Sequence, residues 1–360
     1  MTRELLKVLA FLEECLRFSP RSIVLTLISL VVVLALTWVL WIIFEGSASH
    51  LQTTFNPKSD NTESIHDLYM IVWVLSGFVM VGVLTLTMAF SLIFRERPGA
   101  PPAQQFHGNS RLEIIWTLIP IVIVVAIAIP SFQVILETEG DPPANSLDIV
   151  ATGHQWWFEF EYPEENLITA NELHIPVGQP VSIELRSDDV IHSFWIPQLV
   201  GKVDMVPGHN NRLWFTPYEP GEYYGQCAEY CGTSHANMRF RVIVETQEGY
   251  DAWVANQTND ALPAVGTEAQ AGEKIATTLC AACHMIRGTS TNTAFAIKGP
   301  DLTHVGSRNH IAAVTMENNS ENLAQWLKNP PGVKPGSRMP VLALSDEQIS
   351  QLVAYLQELQ

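Results

Sequence analysis

Cys227-Ala228-Glu229-Tyr230-Cys231-Gly232-Thr233-Ser234-His235-Ala236-Asn237-Met238, taken with His192 in Val190-Ile191-His192-Ser193-Phe194, holds the densest chemistry in the chain. Two thiols, two imidazoles and a thioether are soft or borderline donors of the kind that select copper, and a single tetrahedral ion cannot use five of them. The set suits two ions that share the two sulfurs. A mononuclear blue-copper site needs one Cys, two His and a weak axial Met, so the second Cys, four residues after the first, departs from that pattern. A Cys227–Cys231 disulfide and a structural zinc site are the alternatives, and neither uses Met238.

The Cys-x-Glu-x-Cys-x-x-x-His-x-x-Met run resembles subunit II of the haem-copper cytochrome oxidases, whose CuA centre uses it. The resemblance implies Cys227 and Cys231 as bridges, His192 and His235 as one imidazole per copper, Met238 as a weak ligand and the backbone carbonyl of Glu229 as the last donor. It continues through Gly153-His154-Gln155-Trp156-Trp157, Val203-Asp204-Met205-Val206-Pro207-Gly208 and Gly221-Glu222-Tyr223-Tyr224-Gly225-Gln226. From it Trp156 is expected at the surface near copper, passing electrons inward from cytochrome c, with Trp157 as the core residue. The same resemblance assigns the Glu229 carboxylate to a magnesium ion shared with the catalytic subunit, as hard oxygen ligands allow. No second magnesium ligand is evident in the sequence.

The chain has 360 residues, an apolar fraction of 47% and a mean hydropathy of +0.14. Those values suit membrane segments beside soluble domains better than one globular core. The net charge of −17 is uneven: residues 137–250 carry 18 acidic and 5 basic side chains, residues 251–360 carry 10 and 7. A field of that sign repels nucleic acid and attracts basic protein partners, with an effect on encounter rates that weakens with salt.

Residues 23–44 are apolar without a break and would span roughly 33 Å as a helix. They are expected to be a retained span, with Ser47-Ala48-Ser49 as a possible signal cleavage site in the other reading. Residues 68–94 and 112–136 form two further spans. Arg95, Arg97 and Arg111 in the loop between them, and Arg3, Lys7, Arg17 and Arg21 before the first span, place that loop and the N-terminus in the cytoplasm. Three crossings then put everything after residue 137 on the outer, periplasmic face of a bacterial plasma membrane. Cys15 reads as a structural thiol. Leu112-Glu113-Ile114-Ile115-Trp116-Thr117-Leu118-Ile119-Pro120 again resembles subunit II, in which the glutamate matching Glu113 lies at the mouth of a proton channel. The plainer reading is a carboxylate at a helix start, where it favours the dipole.

From 147 to 245 the pattern becomes short alternating runs, Leu147–Ala151, Trp157–Tyr162, Val181–Leu185, Arg212–Phe215, Glu222–Gly225 and Arg239–Glu245, with Gly and Pro between them. This spacing predicts a small all-β domain, and a Greek-key cupredoxin barrel fits because it can hold copper between loops at one end. Residues 249–256 are expected to form a short helix, and Gln257–Gly266, polar with one Pro, a linker.

Leu279-Cys280-Ala281-Ala282-Cys283-His284 then carries the C-x-x-C-H signature of covalent c-type haem attachment, with His284 as iron ligand. Gly299-Pro300-Asp301-Leu302, a helix capped by Ser320 with Trp326-Leu327 before Asn329-Pro330, Arg338-Met339-Pro340 and a Ser345…Gln348 capping box match small all-α class I cytochromes c. Met339 is the expected second axial ligand, ahead of Met285 and Met316, because it alone has the Met-Pro loop context.

The expected organisation is a membrane anchor over 1–140, a CuA cupredoxin domain over 141–256, a linker over 257–266 and a cytochrome c domain over 267–360. Along nearly its whole length the chain resembles subunit II of a caa-type cytochrome c oxidase. That implies an electron-input subunit with haem c and CuA, a catalytic subunit I and further membrane subunits as partners, and cytochrome c or a membrane-bound cytochrome as donor. Oxygen would be reduced elsewhere, since the three apolar spans contain no histidine. A CuA-containing nitrous oxide reductase would need a propeller domain that is absent, and a quinol oxidase subunit II lacks the copper ligands. A membrane-tethered copper carrier is the reading from another class.

Overall fold

The computed structural model describes residues 20–45, 52–95, 98–99, 108–289 and 299–360. Cys15, Arg3, Lys7, Arg17 and Arg97 lie outside them. Three helices, α1 (Pro20–Glu45), α2 (Asp60–Ile93) and α3 (Ser110–Thr138), are long and apolar enough to cross a bilayer. Their hydroxyls return to the carbonyl four residues back, as Thr26, Ser29, Thr37, Ser91, Thr117 and Ser131 do at 2.7–2.9 Å. That satisfies each of these six hydroxyls inside its own helix, the arrangement an apolar solvent requires.

All three helices exceed the apolar spans because hydropathy marks only the part that lipid would cover. The first polar turns of α2 are the clearest case. Ser59 Oγ accepts from Thr62 N at 3.2 Å, Asp60 Oδ1 accepts from Thr216 N at 2.7 Å, and the Tyr218 hydroxyl donates to Glu63 at 2.8 Å. Residues 67–134 group with the first helix as one compact unit, whereas 50–66 and 135–360 form the other.

In the second unit ten strands make a two-sheet sandwich: β1 (Leu147–His154), β2 (Trp157–Tyr162), β3 (Leu167–Ala170), β4 (Glu172–Pro176), β5 (Val181–Ser187), β6 (His192–Ile196), β7 (Val200–Met205), β8 (Asn211–Phe215), β9 (Gly221–Cys227) and β10 (Arg239–Glu245). The sheet orders are β3-β2-β1-β5-β8 and β4-β10-β9-β6-β7, antiparallel except for the β1/β5 and β10/β4 pairs. Strand β2 reads Trp-Phe-Glu-Phe-Glu-Tyr, and its alternate residues Phe158 and Phe160 enter the core. There they meet Phe240 at 4.7 and 5.6 Å between ring centroids, and Phe240 stacks on Phe194 at 4.7 Å. Four strands, β3, β4, β6 and β7, are additions to the sequence expectation. They are short, and long-range pairing places them where their own pattern is weak.

A helix α4 (Gln247–Gln257), capped by Thr246, leads into a helical domain of α5 (Thr267–Leu279), a hairpin of β11 (His310–Ile311) and β12 (Met316–Glu317), α6 (Ser320–Lys328), a short α7 (Pro330–Val333) and α8 (Asp346–Glu358). The Ser345/Gln348 capping box opens α8, with both reciprocal bonds present at 2.9 and 3.2 Å. The cap of α6 is Asn319 rather than Ser320: the Asn319 side chain accepts from Asn322 N at 2.9 Å, and Ser320 is already helical. Asn is at least as good a cap as Ser, so the junction moves back by one residue.

Helices α5 and α8 cross at Gly272, where an added Cβ would lie 2.0 Å from the Gln351 carbonyl oxygen and 2.9 Å from Tyr355 Cβ. Ala at this position gains about 1 kcal/mol in helix propensity, but the clash is with backbone that cannot rotate away. Gly272→Ala is therefore expected to destabilise the helical domain by about 3 kcal/mol net. On a domain of this size that lowers its thermal midpoint by roughly 10–20 °C, read by circular dichroism.

Candidate metal and haem centres

Strand β9 ends on Cys227 and β6 begins on His192, so the two sheet-bound halves of the metal cluster meet at one edge of the sandwich. The loop 228–238 is clamped at its ends: Cys227 N donates to Met238 O at 2.9 Å and Ala228 N to Ser193 O at 3.1 Å. The sulfurs of Cys227 and Cys231 are 3.7 Å apart, far beyond the roughly 2.05 Å of a disulfide. His192 Nδ1 faces Cys227 at 3.9 Å, and His235 Nδ1 faces Cys231 at 3.7 Å. Met238 Sδ lies 3.9 Å from Cys231, and the Glu229 carbonyl 3.2 Å from Cys227. Two sulfurs flanked by one imidazole each, with a thioether and a carbonyl outside them, match in kind and number the donors that a sulfur-bridged copper pair takes. Among the described residues, His192, Cys227 and Cys231 are the only group of three metal-type side chains gathered this closely, and all are buried.

The electrostatics prepare the pair for a cation. The hydrogen bond from Cys231, together with His192 and nearby backbone donors, holds the Cys227 thiol down at about 3. Cys231, donating to that thiolate and buried beside it, is pushed up. A metal ion would take the place of the shared proton, since the ligand form of cysteine is the thiolate. Burial alone would lower His192, but its bonds to Asp189 and Cys227 outweigh that and raise it.

Asp189 is the functional residue that sequence reasoning missed. Its Oδ1 is 2.8 Å from His192 Nε2, which leaves Nδ1 for the metal, and it also accepts from the Gln155 and Val190 amides at 2.7 Å. Burial works against its charge, yet these donors hold it at about 2. The signal available was an acid three residues before a ligand histidine.

Trp156 is buried, 9% exposed, and its Nε1 donates to the Cys231 carbonyl at 3.1 Å; Gln155 Nε2 donates to the same oxygen at 2.8 Å. The expectation that Trp157 is the core residue is overturned: Trp157 is half-buried and stacks on His154 at 4.3 Å. Trp156 is covered instead by the helical domain, because the loop 334–338 lies over it. Lys334 Nζ donates to the Trp156 carbonyl and to Ala312 O at 3.1 Å. Ser234 Oγ donates to Pro335 O, and Arg338 to Gln155 Oε1 at 2.7 Å. Burial pushes the Lys334 ammonium down to about 7 against the opposing pull of Cys231.

Beside Trp156 lies a cavity of about 760 Å³, lined among others by Cys280, Cys283, His284, Trp326, Leu327 and Met339. Its volume is in the usual range of cofactor sites. His284 Nδ1 is 2.7 Å from Pro300 O, so Nε2 is the nitrogen left for iron. Gly299 is a cradle for the same ring, since a Cβ there would lie 2.7 Å from His284 Cε1. The cavity wall includes Met339 but neither Met285 nor Met316. These residues fit a covalently held haem with His and Met axial ligands.

The Glu229 carboxylate is exposed and accepts from the Tyr230 amide at 3.2 Å. Glu113 is in the first turn of α3, whose amides at 111 and 112 are capped by Asn109 Oδ1 at 3.2 and 3.3 Å.

Comparison with known sequences finds three family profiles along the chain: the transmembrane domain of cytochrome c oxidase subunit II over residues 44–134, its periplasmic domain over 165–246, and cytochrome c over 269–360. A cytochrome c oxidase subunit 2 of Alkalihalophilus pseudofirmus is 36% identical over 315 residues, covering 85% of this chain and 90% of the relative. A quinol oxidase subunit 2 of Bacillus cereus is 33% identical over 221 residues, covering 59% of this chain and 75% of the relative. Among solved structures, the periplasmic domain of subunit II of the cytochrome oxidase of Bradyrhizobium japonicum aligns at 31% identity with a TM-score of 0.31, over 32% of this chain and 95% of that one.

Proposed function

The chain belongs to the cytochrome c oxidase subunit II family, a component of an oxidoreductase complex, and from that premise we propose that it is the electron-input subunit of a proton-pumping caa-type terminal oxidase. Bound to this chain, haem c and a binuclear copper centre supply one-electron carriers, so that electrons from a cytochrome c-type donor reach haem a of subunit I, where oxygen is reduced to water. The three apolar helices anchor the chain in a membrane, by this reading a bacterial plasma membrane, with the domains 141–256 and 267–360 on its outer face.

The observation that carries the proposal is the place of Trp156. One indole lines the cavity that holds Cys280, Cys283, His284 and Met339, and donates to the carbonyl of Cys231 at 3.1 Å. In that position Trp156 would connect the residues that hold the haem with those that hold the copper pair. Cys280 and Cys283 would hold the haem covalently, and His284 through Nε2 and Met339 would be its iron ligands. His192, Cys227, Glu229, Cys231, His235 and Met238 hold the copper pair, with Asp189 fixing the tautomer of His192. Glu113 at the mouth of a proton channel, and the Glu229 carboxylate on a magnesium ion completed by subunit I, are further parts of the reading. Both are tested by activity and metal content of the Gln variants.

The native complex should show absorption bands of both c- and a-type haem; a complex with no c-type band would overturn the assignment. Met339→Ala should leave the haem attached through Cys280 and Cys283 but lower its potential, because the soft axial ligand is lost while the thioethers remain. Redox titration decides it, and an unchanged potential would mean another sixth ligand.

A further inference from the structure

Lys334 lies between the two domains that Trp156 joins. Its side chain is 4% exposed, and a lysine is kept in such a place only when its donors are satisfied. Of its three protons, one goes to Ala312 O in its own domain and another to the carbonyl of Trp156 in the copper domain. The turn that presents Ala312 O is unusual. Ala312, Ala313 and Val314 have φ of 56°, 57° and 60°, a left-handed run that L residues adopt rarely and a β-branched residue hardly at all. Such a conformation persists where surrounding structure over-determines it.

The other bonds across the seam are exposed, neutral or attached to a different segment. The guanidinium of Arg338 is 59% exposed where it faces Asp189 at 3.5 Å, so solvent screens it. Ser234 and Pro335 share one neutral bond. Glu172 accepts from the Asn309 and His310 amides at 2.9 and 3.0 Å, which holds the hairpin but not the loop over Trp156. Gly336 shows how close that loop comes. With φ of +81° it leaves only 2.8 Å between an added Cβ and the Trp156 ring.

We propose that Lys334 is the latch that holds the haem-bearing domain in register on Trp156, a positioning residue for electron transfer that acts through the Trp156 backbone. This rests on the reading in which Trp156 connects the two centres. Lys334→Met keeps most of the side chain's length and removes the donating ammonium, so the Trp156 carbonyl loses the Lys334 donor and Ala312 O keeps only the Thr315 hydroxyl at 2.7 Å. Loss of buried hydrogen bonds of this kind lowers the docked-to-undocked ratio about tenfold to a hundredfold.

The test uses the complete chain in its complex. Hydrogen exchange at residues 231–237, 309–314 and 332–338 should speed up by about that factor in Lys334→Met, while the amides of α5 and α8 keep their protection. In flash-reduction experiments, electron arrival at the copper centre should slow by about tenfold or more, since a small misplacement of reacting centres is costly. The haem absorption spectrum and the binuclear copper resonance signal should stay unchanged, which a general loss of structure would not allow. Lys334→Gln, which retains one donor group, should open the seam less and serves where Met impairs accumulation. Unchanged exchange at the seam in both variants would overturn the latch. A seam that opens with no change in transfer rate would leave the latch standing and count against Trp156 as the connection.

Discussion

Cys231→Ser is expected to lower the copper content from two ions per chain to at most one and to remove the resonance signal of an electron shared between two coppers. The geometry leaves the site no substitute. Cys231 Sγ is the atom within 4 Å of Cys227 Sγ, His235 Nδ1 and Met238 Sδ, so it joins the two halves of the donor set. A serine hydroxyl at the same place is a hard, protonated donor and does not replace a bridging thiolate. Removing an outer partner of a metal ligand costs roughly 10–100-fold in affinity, and removing a bridge should cost more than that. Electron delivery to the oxidase should fall with it, while haem attachment at Cys280 and Cys283 is untouched. Paramagnetic resonance and metal analysis on the purified complex check this. A four-line mononuclear copper signal in the native protein, or the binuclear signal surviving in the variant, would sink it.

Deleting residues 257–360 should cut turnover with the native donor far more than it cuts oxygen binding or assembly. Residues 257–266 would, as a free coil, already keep the haem near copper at millimolar local concentration. The segment is tied down further. Arg287 donates to the Gln257 carbonyl, Asn259 O faces His304 Nε2 at 3.0 Å, Ala264 is buried, and Val265 N donates to Glu358 at 2.8 Å. The linker is thus packed onto the helical domain, and the loop 334–338 sets that domain against Trp156 rather than merely nearby. Against a soluble carrier at about 10 μM, loss of that arrangement should lower the rate of copper reduction on the order of a hundredfold. The truncated chain would expose Trp156 to outside donors, and the acidic surface of residues 137–250 would steer basic ones towards it, with a rate that falls as salt rises. Stopped-flow reduction followed at haem and copper bands makes the measurement. Copper reduced by the native donor as fast in the truncated chain as in the intact one would make the fused domain a side branch.

The sequence alone determined what depends on spacing within one short stretch. Cys227, Cys231, His235 and Met238 share one loop whose local turns bring four donors together, and Cys280, Cys283 and His284 share one turn. The apolar spans and the Ser345…Gln348 box are local in the same sense. The tertiary structure decided whatever needs two distant segments to meet. Asp189 is local to His192, but the Gln155 amide that holds its carboxylate in place comes from another strand's end. The tryptophan pair 156/157 divided opposite to the expectation because the burial of Trp156 comes from residues 334–336, about 180 positions away, which no local periodicity records. Lys334 reads in sequence as an ordinary loop lysine. Its charge becomes a constraint only when the two domains close over it and remove the water that would otherwise bind its protons.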